Sequence, residues 1–353
     1  MTEPLNDVEV IAPNFKRTLS GVTSTIVQLI PLQRADGLGI ATLGPGLPRN
    51  LAKIGWKDLP GLWFRPKNRP FRIWHARRNN EMIAGVFLRS VLRMKLKLLF
   101  TSAAQRDHQP LTKWLIRRMD AVIATSNRSG SFLHVPHTVI MHGVDTALFH
   151  PATDENDAFA ASGLPGDYLV GCSGRIRPSK GTDLFVDAMI RLLPRHPQWT
   201  AVMTGRTTAE FAGFEQELRE RIAAAGLRER IVFLGEVPDI RPWYRRMSLY
   251  VAPSRNEGFG LTPLEAMASQ TAVVASDAGA YAEMIEPATG AVVAAGDGPA
   301  LENALEPFLA DPAKCAEAGK AGLAHVRANF PLQKEAASIL AVYQRLFAAG
   351  REQ

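Results

Sequence analysis

The sequence predicts an α/β protein built as two doubly wound, Rossmann-like domains. Three observations carry this expectation. At 353 residues, the chain is longer than one hydrophobic core usually fills. Short β-prone apolar runs alternate with helix-period stretches in both halves, the pattern of a parallel sheet covered by helices on both faces. Residues 151–167, rich in Ala, Asp, Gly and Pro, read as a linker between the halves. The expected domains are therefore 1–160 and 161–331.

The elements follow in order. Residues 8–11 (VEVI) read as an opening strand, followed by a turn at Ser20-Gly21 and an apolar helical run over 22–32. Further strands are expected at 38–42, 71–75, 96–102, 121–124 and 138–141, with helices at 82–94 and 110–119 between them. The second half repeats the plan with strands at 168–173, 200–203, 231–233, 249–252 and 272–275. Its helices are expected at 181–193, 208–225, 240–247 and 263–269, and a last helix at 332–349.

Composition narrows the setting. The hydrophobic share of 46% and charged share of 21% are ordinary for a globular protein. Cys172 and Cys315 are the only cysteines, so a reducing compartment is expected and no cysteine zinc cluster can form. The N-terminus lacks a secretory-signal pattern and no run approaches 18 apolar residues, which points to a cytosolic chain without a span. The net charge of +7 is uneven. Residues 1–150 hold 21 Lys+Arg against 9 Asp+Glu, a balance of +12, and the remainder holds 20 against 25, a balance of −5. The first half is thus suited to meeting anions. Much of its charge lies between Arg65 and Lys97, beside Phe87, Leu88, Val91 and Leu92. This pattern suits an anionic membrane surface. No nucleic-acid motif accompanies it, so nucleic acid is not an expected partner.

Residues 254–268, SRNEGFGLTPLEAMA, carry the most specific chemistry. A glycine-broken loop leads into Pro263, a good first helical residue, so backbone amides and the helix N-terminus can face a diphosphate. Glu257 and Glu265 flank that anion site. Phosphate repels a carboxylate, so these two suit uncharged partners such as sugar or ribose hydroxyls. Arg175 and Lys180 follow the strand at 168–173, where ligands of open α/β sheets collect. Their charges can neutralise a leaving diphosphate. The order there is K-G, which is not a Walker loop. Gly205-Arg206, and Val237 with Asp239, end the next two strands and can bracket a base. Asp239 can accept from guanine N1 and N2 hydrogens, which uracil lacks. No Asp-x-Asp occurs, so no metal and no other cofactor is expected.

These residues resemble a known family. Glu257 and Glu265, eight apart, resemble the E-x7-E motif of retaining GT-B glycosyltransferases of family 4. Residues 174–181, GRIRPSKG, are similar to its G-R-x-x-x-x-K-G donor-phosphate signature, and 142–149, HGVDTALF, to the segment closing its first domain. The resemblance covers most of residues 100–340. It implies the GT-B plan, two Rossmann-like domains facing a cleft, with the last helix crossing back to complete the first. It also implies that Glu257 holds the transferred sugar and Glu265 the ribose. Arg175, Lys180 and the loop Gly258, Phe259, Gly260, Leu261 and Thr262 would then take the diphosphate. Gly21 resembles the family's glycine loop, although one of its two glycines is absent. His142, in place of the usual asparagine, would face the donor phosphates. The usual histidine after the strand at 96–102 is missing, leaving Arg106, Asp107, His108 or no side chain on the acceptor side. The middle region resembles rhizobial-type lipopolysaccharide core mannosyltransferases. That implies mannose moved from GDP-mannose to a lipid-linked lipopolysaccharide precursor, by a peripheral enzyme on the inner face of the cytoplasmic membrane. A UDP-hexose donor, a nucleotide-sugar epimerase, a hydrolase carboxylate pair and a non-catalytic glycolipid binder are the rivals. A hydrolase has no need of a phosphate cradle.

Overall fold

The computed structural model describes residues 3–17 and 21–349, with the side chain of Val22 left aside. The chain separates into two compact units, Met1–His142 with Leu332–Gln353, and Gly143–Pro331. The expected boundary near 160 thus moves to 142/143. The reason is local pairing: the Val144 amide donates to Phe330 O (2.9 Å), and Asp157 accepts from Arg245 Nε (2.6 Å). These bonds tie the expected linker to the second unit.

The first unit contains one parallel sheet of β1 (Val10–Pro13), β2 (Ile40–Leu43), β3 (Arg72–Ala76), β4 (Leu96–Ser102), β5 (Ala121–Ala124) and β6 (Thr138–Val139). The strand order is β2-β1-β3-β4-β5-β6. Alternation sorts the side chains: Val10 and Ile73 enter one apolar cluster, Ile11 and Trp74 the other. Helix Leu332–Ala349 covers the first of these faces through Ile339, Val342, Tyr343 and Phe347. The single helix expected at 82–94 is instead a helix at Asn79–Val86 and a wider turn at Phe87–Val91. Leu92 N reaches back to Phe87 O (3.1 Å), and Arg93 takes φ 54°, so that Lys95 O can receive Arg72 N where β4 begins. The Ser20 of the expected turn lies outside the described residues, and Gly21 opens helix Gly21–Ala35.

The second unit holds β7 (Tyr168–Ser173), β8 (Trp199–Thr204), β9 (Ile231–Gly235), β10 (Leu249–Ala252), β11 (Ala272–Ser276) and β12 (Gly290–Val293). All pair in parallel, in the order β12-β11-β10-β7-β8-β9. Winding runs outward in both directions from β7 and β10. The direction of winding therefore reverses between these two parallel strands, and their carboxyl ends open a crevice. The sequence reading missed β12 and the helices at Gly298–Ala310 and Pro312–Asn329.

Candidate functional site

The loops leaving β7 and β10 meet at that crevice. After β7 the chain passes Gly174, Arg175 and the buried Ile176 into a short turn, Pro178–Lys180. Gly181 then starts helix Thr182–Leu192 with φ 68°, and a side chain there would collide with the Pro253 carbonyl. Only glycine lets the two loops approach this closely. Arg255 and Asn256 amides donate to Ser179 O (3.0 and 3.2 Å), and the Arg255 guanidinium grips Asp183 through two bonds of 2.7 Å. The two loops are thereby one rigid body.

This body brings Lys180 and Glu257 together. Lys180 Nζ donates to Glu257 Oε2, which also accepts from Tyr281 OH at 3.4 Å. Glu257 Oε1 accepts from the Gly258 amide at 3.1 Å. Gly260 has φ 86° and lies against the Tyr281 ring, where a side chain would collide. Among the described residues the amides of Gly260 and Leu261 have no acceptor. Thr262 and Pro263 follow and begin helix Thr262–Ala268. Phe259 is buried.

Glu265 sits on that helix, and its Oε2 accepts from Tyr244 OH at 2.9 Å. Burial pushes its carboxyl up to about 7, against the opposing pull of the tyrosine hydrogen bond. Arg175 is exposed, and its guanidinium has no hydrogen bond or ion pair among the described residues. The arrangement thus offers an unpaired guanidinium, an ammonium, two open amides and two carboxylates at one switch point. That set can hold an anion between groups that hold hydroxyls.

The remaining expected residues are placed differently. Gly205 ends β8 with its amide on Gly235 O (2.7 Å), Arg206 is exposed, and Val237 is half-buried. Asp239 has both oxygens engaged by Arg241, at 2.8 Å from Nε and 2.7 Å from Nη2. The same carboxylate accepts from the Arg241 amide (3.0 Å), a local turn just before the helix Arg241–Arg246 that sets the two side chains together. Reading a guanine edge with Asp239 would require this pair to open. Gly21 and His142 belong to the first unit. His142 Nδ1 is held by Glu335 Oε1 at 2.6 Å.

The first unit has a polar cluster that the sequence reading did not assemble. At its own switch point, between β1 and β3, Arg78 donates to Asn14 Oδ1 (2.9 Å), Thr23 Oγ1 (3.1 Å) and Glu81 Oε1 (2.8 Å). The buried Glu81 also receives the Arg77 and Arg78 amides (2.7 and 3.1 Å). The run Arg77-Arg78 directly after an apolar strand, with Glu81 one turn on, was the available signal. His75 is fully buried between Tyr343 OH (2.6 Å) and Thr101 Oγ1 (2.7 Å), a satisfied core histidine.

The sequence profile described as "Glycosyl transferases group 1" matches residues 167–311. A lipopolysaccharide core biosynthesis mannosyltransferase, LpcC, of Rhizobium leguminosarum bv. viciae is 66% identical over 98% of this chain and 99% of its own. A second, LpsB of Rhizobium meliloti, is 54% identical over 97% of this chain and 99% of its own. Among solved structures, Anabaena Alr3699/HepE in complex with UDP and glucose superposes with TM-score 0.80 at 19% identity, covering 96% of this chain and 100% of that one. The fold is that of the GT-B glycosyltransferases. The chain belongs to the group 1 glycosyltransferase family and is an enzyme of that class.

Proposed function

We propose that this enzyme moves mannose from GDP-mannose, with retention of configuration, onto a lipid-linked precursor of lipopolysaccharide core. The observation that carries the reading is the group at the β7/β10 switch point: Lys180 against Glu257, with the Gly260 and Leu261 amides open beside them. The two relatives described above, both core mannosyltransferases by name, supply the sugar and the pathway. Arg175, Lys180 and the two amides neutralise the diphosphate as its bond to the anomeric carbon breaks. Glu257 holds the sugar hydroxyls and Glu265 the ribose. The acceptor hydroxyl attacks from the face the diphosphate leaves, and the departing phosphate oxygen takes its proton. No side-chain base is then needed where the usual histidine is missing. No metal is invoked, because cations and amides of the chain cover the diphosphate charge.

The same proposal places the enzyme on the inner face of the cytoplasmic membrane. Among the described residues no helix is long and apolar enough to cross a bilayer. The first unit instead exposes apolar side chains on three segments. Trp56, Trp63 and Phe64 are 56%, 46% and 72% exposed, Phe87 and Val91 50% and 63%, and Trp114 45%. Trp63 Nε1 donates to Leu92 O (2.6 Å), and Arg89 bonds Arg118 O (2.7 Å), so the three segments adjoin. Arg65, Lys67, Arg93 and Lys95 are exposed among them, without ion pairs among the described residues. Trp and Phe rings beside unpaired cations suit an anionic lipid interface. Other residues of the basic stretch are committed internally: Arg72 to backbone carbonyls, Arg69 to Glu9, Arg89 and Lys97 to Asp120.

The test is a donor panel in excess EDTA. Purified enzyme is given GDP-mannose, UDP-glucose, UDP-galactose or UDP-N-acetylglucosamine with a lipopolysaccharide precursor. Transfer from GDP-mannose alone, undiminished by EDTA, is expected. Preference for a UDP-sugar would overturn the donor, and a strict need for Mg²⁺ or Mn²⁺ would overturn the metal-free account.

A further inference from the structure

A second polar cavity lies in the first unit, at the carboxyl ends of β3 and β4. Its volume is about 330 Å³, and its lining includes Arg77, Asn79, Ser102, Arg106, His108 and Thr112. Arg77 is the unusual member. It is only partly exposed, yet its five-donor guanidinium makes a single, long hydrogen bond among the described residues, 3.3 Å to His75 O. An enclosed guanidinium left so poorly bonded is costly unless an anion completes it. Glu81, Glu335 and Tyr343 lie near enough to attract this guanidinium, yet none bonds it: the Glu81 oxygens are taken by two backbone amides and by Arg78, and Glu335 Oε1 holds His142. Arg106 contributes a second guanidinium with no partner among the described residues. The one carboxylate on the lining, Asp107, is already bonded to Lys113 at 2.5 Å and has His134 at 3.7 Å. The other polar lining groups donate or accept neutrally: Asn79 Nδ2 bonds Thr112 Oγ1 (2.7 Å), and Ser102 Oγ lies 3.4 Å from His108 Nε2.

We propose that this cavity is an anion subsite for the acceptor, in which Arg77 and Arg106 grip a carboxylate or phosphate group carried by the acceptor glycan. The proposal rests on the glycosyltransferase reading above and goes beyond it by assigning a charged feature of the acceptor to named residues. Arg77 follows the end of β3 and Arg106 the end of β4, and both line the one cavity that would hold the anion.

The test compares the parent chain with Arg106→Gln and Arg77→Gln. Arg106→Gln keeps the proposal testable if the Arg77 change disturbs folding, because Arg106 is exposed and bonds nothing among the described residues. Three acceptors are used: native lipopolysaccharide precursor, the same material after phosphatase treatment, and the same material with carboxyl groups methylated. The parent is expected to favour native acceptor over one of the two neutralised forms, and which form suffers identifies the anion. In each variant the KM for native acceptor should rise about 10- to 100-fold, and the preference should vanish, with GDP-mannose affinity by calorimetry unchanged. A parent indifferent to both neutralisations, or variants that keep the preference, would overturn the subsite while leaving the transferase reading intact. A parent that neither binds nor uses any nucleotide sugar would overturn both.

Discussion

At the scale of single residues, the account turns on two glutamates with different surroundings. Glu257 is held by Lys180, Tyr281 and the Gly258 amide, beside the open amides that would take the diphosphate. In the proposed mechanism its partner is the sugar, so Glu257→Gln is expected to lower kcat at least 100-fold while GDP binding changes by less than about threefold. Wild-type turnover by that variant would remove Glu257 from the site. Glu265 makes a prediction about pH. Burial raises its carboxyl to about 7, and the ribose hydroxyls of the proposed donor bond more strongly to the ionised form. Binding therefore favours the deprotonated state, and affinity is present above about pH 7 and lost as pH falls through it. Calorimetry should find GDP-mannose about tenfold weaker at pH 6 than at pH 8. Glu265→Gln should flatten that profile. An equally steep profile in the variant would assign the titration to another group.

At the scale of elements, glycines decide how closely the site loops meet. Gly181 at φ 68° faces the Pro253 carbonyl, so Gly181→Ala meets both backbone strain and a collision. It should cost about 2–4 kcal/mol and lower the melting temperature by several degrees. It should also weaken donor binding, because Lys180 precedes it. An unchanged melting temperature would show that the loop can shift freely. Much of this element was legible in the sequence. Strands β4, β5, β7 and β10 fall at the expected residues because each is a short apolar run bounded by turn formers. The β7 and β10 loops carry their chemistry in contiguous motifs. The missed helices had a signal in their caps: Asp297 accepts from Ala300 N (2.8 Å) and Asp311 from Ala313 N (3.1 Å), each with proline in the first turn. The polar cluster around Arg77, Arg78 and Glu81 was not legible in the same way. It joins residues from β1, β3 and the first helix, and only the fold makes them neighbours. Asp239 shows the opposite limit, since its partner Arg241 lies two residues away and this local ion pair takes the carboxylate first.

Over the whole chain, charge and exposed aromatics support the proposal that the first unit meets a membrane. The balance of +12 over residues 1–150 includes cations without ion pairs among the described residues, next to six large exposed apolar side chains. Each basic residue near an anionic surface contributes about 1 kcal/mol, screened within a Debye length. Sedimentation with vesicles should therefore show binding to anionic bilayers, little to neutral ones, and release at about 0.5 M salt. Arg65→Glu with Lys67→Glu should weaken that binding. Partition that ignores lipid charge would make the patch a solvated face.

The central claim is that the β7/β10 switch point is a GDP-mannose site. Incorporation of labelled mannose from GDP-mannose into lipopolysaccharide precursor, by the parent chain and by Lys180→Ala side by side, tests it most directly. The account predicts transfer by the parent and a 10²- to 10³-fold lower kcat/KM in the variant, the cost of removing one charge that stabilises the leaving diphosphate. No transfer by the parent, or equal transfer by both, would contradict it.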